Sequence, residues 1–176
     1  TLNFGVRHAR HEILAVYDAD NTPEPLSLRY LVLNLLADPN LASVFGQFRT
    51  RNRKRNLLTR FINLETLSFQ FMIQSGRYLT LKTAILPGTN FLIRKSVLEK
   101  TGNWDEQALT EDTELSIRLF RAGYKIKFVP YATTWEEEPE QWRVWLRQRS
   151  RWIRGNIYIL RKVFIQALRQ RQWKIW

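Results

Sequence analysis

The sequence predicts an α/β domain, and three stretches carry that prediction. Ile13-Leu14-Ala15-Val16, within Glu12 to Tyr17, is a short apolar run that suits a buried parallel strand. Leu26 to Ala37 has helical periodicity and stops at Asp38-Pro39, and Leu41 to Phe48 reads as a second strand. Strand, helix and strand in alternation are the signature of this class.

Taken in order, the elements are as follows. Asn3 to Ala9 resembles a helix already under way, so upstream sequence is expected. The first strand empties into Asp18-Ala19-Asp20, and Pro23 and Pro25 then force a turn. In open α/β sheets ligands lie beyond the carboxyl ends of strands, which is where Asp18 and Asp20 fall. Arg49 to Arg60 carries six basic residues and no acid, and reads as a solvated loop. Leu57 to Leu81 is a long helix whose aromatics, Phe61, Phe69, Phe71 and Tyr78, are expected to pack against other helices. Pro87-Gly88-Thr89-Asn90 opens a short strand from Phe91 to Ile93; Gly88 either lets backbone approach a ligand or simply makes a turn.

Thr110 is placed as the N-cap of a helix whose first turn holds Glu111, Asp112 and Glu114 and whose apolar positions are Leu115, Leu119 and Phe120. Gly123 ends it, and Tyr124 to Val129 alternates like a strand before Pro130. Trp135 to Glu140 is read as the cap of a final helix beginning near Gln141. Along that helix Trp142, Trp145, Leu146, Trp152, Ile153, Ile157, Leu160, Phe164 and Leu168 recur at three- and four-residue steps. The domain division is accordingly residues 1–140, then an amphipathic helical segment, 141–176.

Composition narrows the function. A chain of 176 residues suits one domain with a core, and the absence of Cys excludes disulfides and thiolate metal sites. A net charge of +12 points to an anionic partner: nucleic acid, a phosphorylated substrate or acidic lipid. The charge is uneven, because Gln141 to Trp176 holds ten basic residues and no acid, and six of the seven Trp lie from Trp135 onward. Basic, Trp-rich and helical is the composition of a segment resting at a membrane interface. No run is apolar enough to span a bilayer, and no signal-peptide pattern opens the chain.

Three motifs supply chemistry. Two carboxylates one residue apart at a strand end, Asp18 and Asp20, suit Mg²⁺ or Mn²⁺ shared with a diphosphate. An acid at a helix N-terminus serves as general base if its surroundings tune it, although acids there also simply complement the helix dipole. Arginine fits a diphosphate by paired hydrogen bonds, and Trp offers a flat face to a sugar ring. Together these are the parts of glycosyl transfer from a nucleotide sugar.

From about Asn3 to Gly155 the sequence resembles the membrane-bound, processive members of glycosyltransferase family 2, the group containing cellulose, chitin, hyaluronan and poly-N-acetylglucosamine synthases. Asp18-Ala19-Asp20, Thr110-Glu111-Asp112 and Gln148-Arg149-Ser150-Arg151-Trp152 carry the resemblance, with Pro87-Gly88-Thr89-Asn90, Arg94 and Asn103-Trp104-Asp105-Glu106 in support. The resemblance implies a GT-A-type nucleotide-diphospho-sugar transferase fold, incomplete at its N-terminus, with amphipathic C-terminal helices. It implies a metal at Asp18 and Asp20, Asp112 as base, and donor contacts from Asp18, Asp20, Glu111, Gln148, Arg149 and Arg151. Gly88, Thr89, Asn90 and Trp152 would face the acceptor. Implied partners are a nucleotide-sugar donor, a UDP-sugar, with a growing β-linked polysaccharide, lipid and flanking transmembrane helices, the catalytic part on the cytoplasmic face and no nucleic acid. The family's first strand, with its nucleotide-base Asp, has no counterpart here, so the chain is expected to be a catalytic fragment. The rivals are a non-processive transferase acting on a lipid or glycan, and a basic membrane- or nucleic-acid-binding module.

Overall fold

A computed structural model describes residues 2–170. Its centre is a five-stranded mixed sheet in the order β1-β4-β3-β5-β2, comprising β1 (Ile13–Val16), β2 (Thr22–Pro23), β3 (Leu41–Thr50), β4 (Phe91–Arg94) and β5 (Lys125–Glu136). The helices are α1 (Leu2–His8), α2 (Ser27–Ala37), α3 (Leu57–Ser68), α4 (Ser75–Leu81), α5 (Lys95–Lys100), α6 (Glu111–Arg121) and α7 (Trp142–Gln170). A π-helical turn, Phe69–Gln74, joins α3 to α4. The fold is α/β, as the alternation predicts.

Helices cover both faces of the sheet. On one, Phe45, Phe91, Ile93 and Ile126 pack with Leu98 of α5, Leu115 and Leu119 of α6, and Trp104. On the other, Leu31 and Leu35 of α2 pack on Leu41, Val44, Leu92 and Val129. Strands buried on both faces read as unbroken apolar runs, which explains why β3 is legible in the sequence.

Three expectations about elements are corrected. The Ile13–Val16 strand is antiparallel to β4, at one end of the sheet order, and only partly buried. Only the β3–β5 pair is parallel among the described pairings. Pro130 does not end its strand: register passes from Gly46↔Val129 to Gln47↔Thr133, so Pro130, Tyr131 and Ala132 bulge out and β5 continues to Glu136. A bulge tolerates Pro because no ladder N–H is required there. Trp135 and Glu136 therefore belong to this strand, not to a helix cap.

The Arg-rich stretch is not a free loop. Arg49 and Arg53 lie over the Trp135 ring, 5.8 and 5.4 Å from its centroid, and Arg51 and Arg55 pair with Glu137 and Glu140. Asn52 exchanges hydrogen bonds with the backbone of Glu138, and the Asn56 amide donates to Glu140 O. The segment from α3 to α4 is pinned by two buried glutamines that mimic strand partners. Gln70 bonds both N and O of Phe48, and Gln74 both N and O of Ile85. Phe61 and Phe71 are half-exposed: Phe61 lines one cleft with Trp142 and Trp145 of α7, whereas Phe71 meets Phe128 of the sheet edge-on, ring centroids 6.0 Å apart.

Helix α7 has two unlike sides. Gly155 and Ile159 are buried against the domain, whereas Leu146, Ile153, Ile157, Leu160, Phe164 and Leu168 are exposed. A period of 3.6 residues puts these sets on opposite sides of the helix. Residues 171–176, with two of the tail tryptophans, lie outside the described residues.

Candidate active site

The turn after β1 is held by the turn before β4. Asp18 N donates to Thr89 Oγ1 at 3.0 Å, and the Thr89 hydroxyl donates to Asn21 Oδ1. This fixes the Asp18–Asn21 loop while leaving both Asp side chains at the surface. Gly88 adopts φ +88°, which favours glycine, and a Cβ added there would lie 3.1 Å from Asp112 Oδ2. The backbone of Gly88 therefore forms one wall beside the Asp112 carboxylate. Asn90 is turned the other way: fully buried, its amide donates to Gln47 O and Ala132 O, both at 3.0 Å, spanning the β5 bulge. Thr89 and Asn90 are thus committed to the framework, and of the three turn residues expected to face an acceptor only Gly88 borders Asp112.

Asp112 occupies the first turn of α6. Its Oδ1 accepts the Thr113 N–H at 2.7 Å. Burial pushes its carboxyl up to about 6, with the charge of Glu111 adding to the rise and the Thr113 amide opposing it. A carboxyl near 6 is ionised at neutral pH yet basic enough to take a proton, as a general base requires. Thr110 sits at the N-cap position, but its hydroxyl makes no capping bond and is buried without a partner, so the expected cap is corrected. Its side chain instead packs on Gly155, where an added Cβ would meet Thr110 Oγ1 at 2.5 Å.

Negative charge gathers around the Asp18–Asp20 turn. Asp18 is raised by burial and then by Asp20 and Glu111, while Arg151 lowers it. Glu136, at the end of β5, is pushed up to about 8 by burial, then by Glu138, Asp20 and Asp18. Glu138 is raised by burial, with Glu65 and Asp20 adding and Arg149 opposing. The sequence reading missed Glu65, Glu136 and Glu138. The run Glu136-Glu137-Glu138 is the local signal for two of them, but ahead of Gln141 it reads equally as helix-capping acids, and nothing local marks Glu65.

Residues of α7 complete the site. Arg151 Nη1 donates to Leu109 O at 3.4 Å, just ahead of the Thr110-Glu111-Asp112 turn. The Arg149 guanidinium stacks 4.1 Å from the Trp152 ring centroid and bonds Glu65 Oε2, leaving its Nε and Nη1 buried without partners. Gln148 Oε1 is likewise buried and unpartnered. Trp152 is partly exposed. Four chain segments thus bring Asp18, Asp20, Gly88, Glu111, Asp112 and Arg151 into one neighbourhood, with Arg149, Gln148 and Trp152 beside Arg151 on α7.

The carboxylates fit a hard divalent cation in a limited sense. Among the described residues no group of three or more His, Cys, Asp or Glu side chains is arranged to hold a metal unaided. Two exposed aspartates with Glu111 and Glu136 nearby suit Mg²⁺ or Mn²⁺, which fill their remaining positions with phosphate and water.

This fold and site define a transferase of the GT-A-like, nucleotide-sugar type. The mannosyltransferase PcManGT from Pyrobaculum calidifontis, solved in complex with GDP-Man and Mn²⁺, matches with a TM-score of 0.67 at 23% identity, covering 93% of this chain and 42% of that one. Mannosyl-3-phosphoglycerate synthase from Rubrobacter xylanophilus matches with a TM-score of 0.57 at 15% identity, covering 96% of this chain and 51% of that one. The chain belongs to Glycosyl transferase family group 2, which it matches over residues 13–176. It is 51% identical over 174 residues to a probable glycosyltransferase, YdaM, of Bacillus subtilis (strain 168), covering 99% of this chain and 41% of the relative. It is also 29% identical to the poly-beta-1,6-N-acetyl-D-glucosamine synthase of Staphylococcus aureus (strain COL), covering 99% of this chain and 42% of the relative. The chain spans about two fifths of the length of these relatives.

Proposed function

We propose that this chain is the catalytic part of an inverting glycosyltransferase that moves a sugar from a nucleotide-diphosphate donor, a UDP-sugar, to a growing β-linked polysaccharide. The observation that carries the reading is a buried carboxyl pushed up to about 6, Asp112, lying against the Gly88 turn, with Asp18 within electrostatic reach of the adjoining Glu111 and of Arg151. The acceptor hydroxyl oxygen attacks the anomeric carbon as its proton passes to Asp112. The anomeric carbon–oxygen bond to the diphosphate breaks on the opposite face, and its electron pair leaves with the diphosphate. Arg151 and Arg149, with Gln148, bind that leaving group; Arg149 gives up Glu65 for it, and its two unpartnered nitrogens are ready donors. Glu111 adds to the field that keeps Asp112 basic. Asp18 and Asp20 would hold Mg²⁺ or Mn²⁺, which would supply positive charge against the diphosphate. Gly88 and Trp152 flank the acceptor sugar, while Thr89 and Asn90 support the turn from behind.

The exposed apolar stripe of α7 supports a seat on lipid or on flanking transmembrane helices of the intact protein; the catalytic part is proposed to lie at the cytoplasmic face. No helix among the described residues is itself long and apolar enough to cross a membrane. A basic nucleic-acid-binding module accounts for the charge but leaves the tuned Asp112 without a use.

Asp112→Asn in the intact polypeptide tests the reading. It removes the base but keeps the shape, so kcat falls about 10²-fold or more with little change in donor binding. A variant with normal kcat returns Asp112 to a role in helix structure.

A further inference from the structure

One side of α7 carries, beside Arg151, three residues with no part in sugar or phosphate chemistry, Gly155, Ile159 and Lys162, and it meets the domain at the turn that carries Asp112. Arg151, Gly155, Ile159 and Lys162 recur at three- and four-residue steps and so share that side. Each has a partner in the domain or is buried. Arg151 bonds Leu109 O. Gly155 lies against Thr110, so closely that an added Cβ would sit 2.5 Å from Oγ1, 2.7 Å from Cγ2 and 3.1 Å from Cβ. Ile159 is 2% exposed. Lys162 Nζ donates to Asp105 Oδ2 and to Glu114 Oε1, both at 2.7 Å.

Glu114 is the telling partner. It is 3% exposed, sits one helical turn before Arg118 on α6, and shares its carboxylate between Lys162 and Arg118 Nε at 2.7 Å. Arg118 in turn donates to Thr101 O and Asn103 O. Asp105 is held below the usual carboxylate range, first by its bond to Lys162 and further by the Gln107 amide and by Arg118, against the effect of burial. An ion-pair network this well bonded fixes geometry even where its net contribution to stability is small. Glycine in the middle of a helix is disfavoured against alanine, so its presence at 155 calls for a steric reason, and Thr110 supplies it.

We infer that Lys162 and Gly155 are positioning residues that set the register of α7 on α6, and through it the distance between the base Asp112 and the diphosphate-binding Arg151. Gly155 permits contact at Thr110, two residues before Asp112. Lys162 locks the same helix two turns further on, to Glu114, two residues after Asp112. The two contacts bracket the base. This inference rests on the proposed roles of Asp112 and Arg151. Misplacement of reacting groups by about 1 Å costs as much as 10²-fold in rate, so a slipped register is expected in kcat before it is seen in folding.

The test uses the intact polypeptide and four variants: Lys162→Met, Lys162→Arg, Gly155→Ala, and Gly155→Ala combined with Thr110→Ala. Turnover, donor KM and melting temperature are measured for each. Lys162→Met is expected to lower kcat about tenfold or more, with donor KM within about threefold, and Lys162→Arg to recover most of the loss. Gly155→Ala lowers kcat although alanine is the better helix former, and adding Thr110→Ala restores part of it by removing the two closest atoms. If Lys162→Met fails to fold, the Gly155 pair decides alone. A kcat loss that only follows lost folded protein, or an Arg variant no better than Met, or full activity in Gly155→Ala, overturns the inference. Asp112→Asn separates this from the underlying reading. Normal turnover in that variant removes the base assignment, whereas its inactivity beside fully active Lys162→Met and Gly155→Ala overturns the register alone.

Discussion

Glu136 offers a stability test of the acidic field around the Asp18 turn. Its carboxyl is pushed from 4.5 up to about 8 by burial, then by Glu138, Asp20 and Asp18. The folded value lies above the unfolded one, so the stability tied to this proton is fully present below about 4.5. It is lost as pH rises toward 8. At ~1.36 kcal/mol per pH unit the whole displacement corresponds to ~5 kcal/mol. Relaxation of the site and partial solvent access reduce this to about 2 kcal/mol. Glu136→Gln keeps the shape and removes the titration. In metal-free, nucleotide-free buffer the variant should therefore gain on the parent by about 4–8 °C in melting temperature between pH 5 and pH 8. Thermal melts at half-unit pH steps measure this, with chelator present because a bound cation would discharge the field. A constant gap, or one that widens as pH falls, refutes the reasoning.

Other perturbations bear on the remaining parts of the site. With Asp112 as the proposed base and its carboxyl pushed up to about 6, kcat should rise with pH through about 6 and level off above it; a profile flat from pH 5 to 7 removes Asp112 from proton transfer. Asp20→Asn should abolish turnover of the intact polypeptide, and the parent should need Mg²⁺ or Mn²⁺; full activity in excess chelator removes the metal from the reaction. On α7, Ile157→Glu with Leu160→Glu should weaken co-sedimentation with anionic vesicles about tenfold and leave the melting temperature unchanged, since both side chains are exposed. Undiminished vesicle binding argues against a lipid seat. Truncation after Arg154 is a poor substitute, because it also removes Ile159 and Lys162, which hold the helix to the domain.

Features legible in the sequence are those written in local periodicity. The strand at Leu41, the helix at Glu111 and the helix beginning at Trp142 follow from runs and three- or four-residue steps; Thr110-Glu111-Asp112 opens the second of these, and Gln148 to Trp152 lies within the third. Features that were not legible depend on pairing between distant segments. Nothing local in Ile13–Val16 reveals that its partner is the antiparallel Phe91–Arg94 rather than a parallel strand. Pro130 signals a stop unless the bulge opposite Gly46 is known, and that bulge relies on Asn90 reaching Ala132 O. For the same reason Glu136 and Glu138 looked like helix-capping acids, although β5 carries them to the Asp18 turn. Thr110 shows the limit of motif reasoning: its type suits a cap, yet Gly155, 45 positions later in the sequence, determines what its side chain touches.

The central claim is transfer with inversion from a nucleotide-diphosphate sugar, and the anomeric configuration of the product tests it most directly. The intact polypeptide, given an α-linked UDP-sugar, Mn²⁺ and an oligosaccharide acceptor, should release nucleoside diphosphate in step with formation of a new β-linkage, read by the anomeric proton signal in NMR. A new α-linkage contradicts single displacement with Asp112 as base. Binding of the nucleotide sugar with no linkage formed, under conditions that support turnover in the relatives, contradicts the assignment of this site to glycosyl transfer.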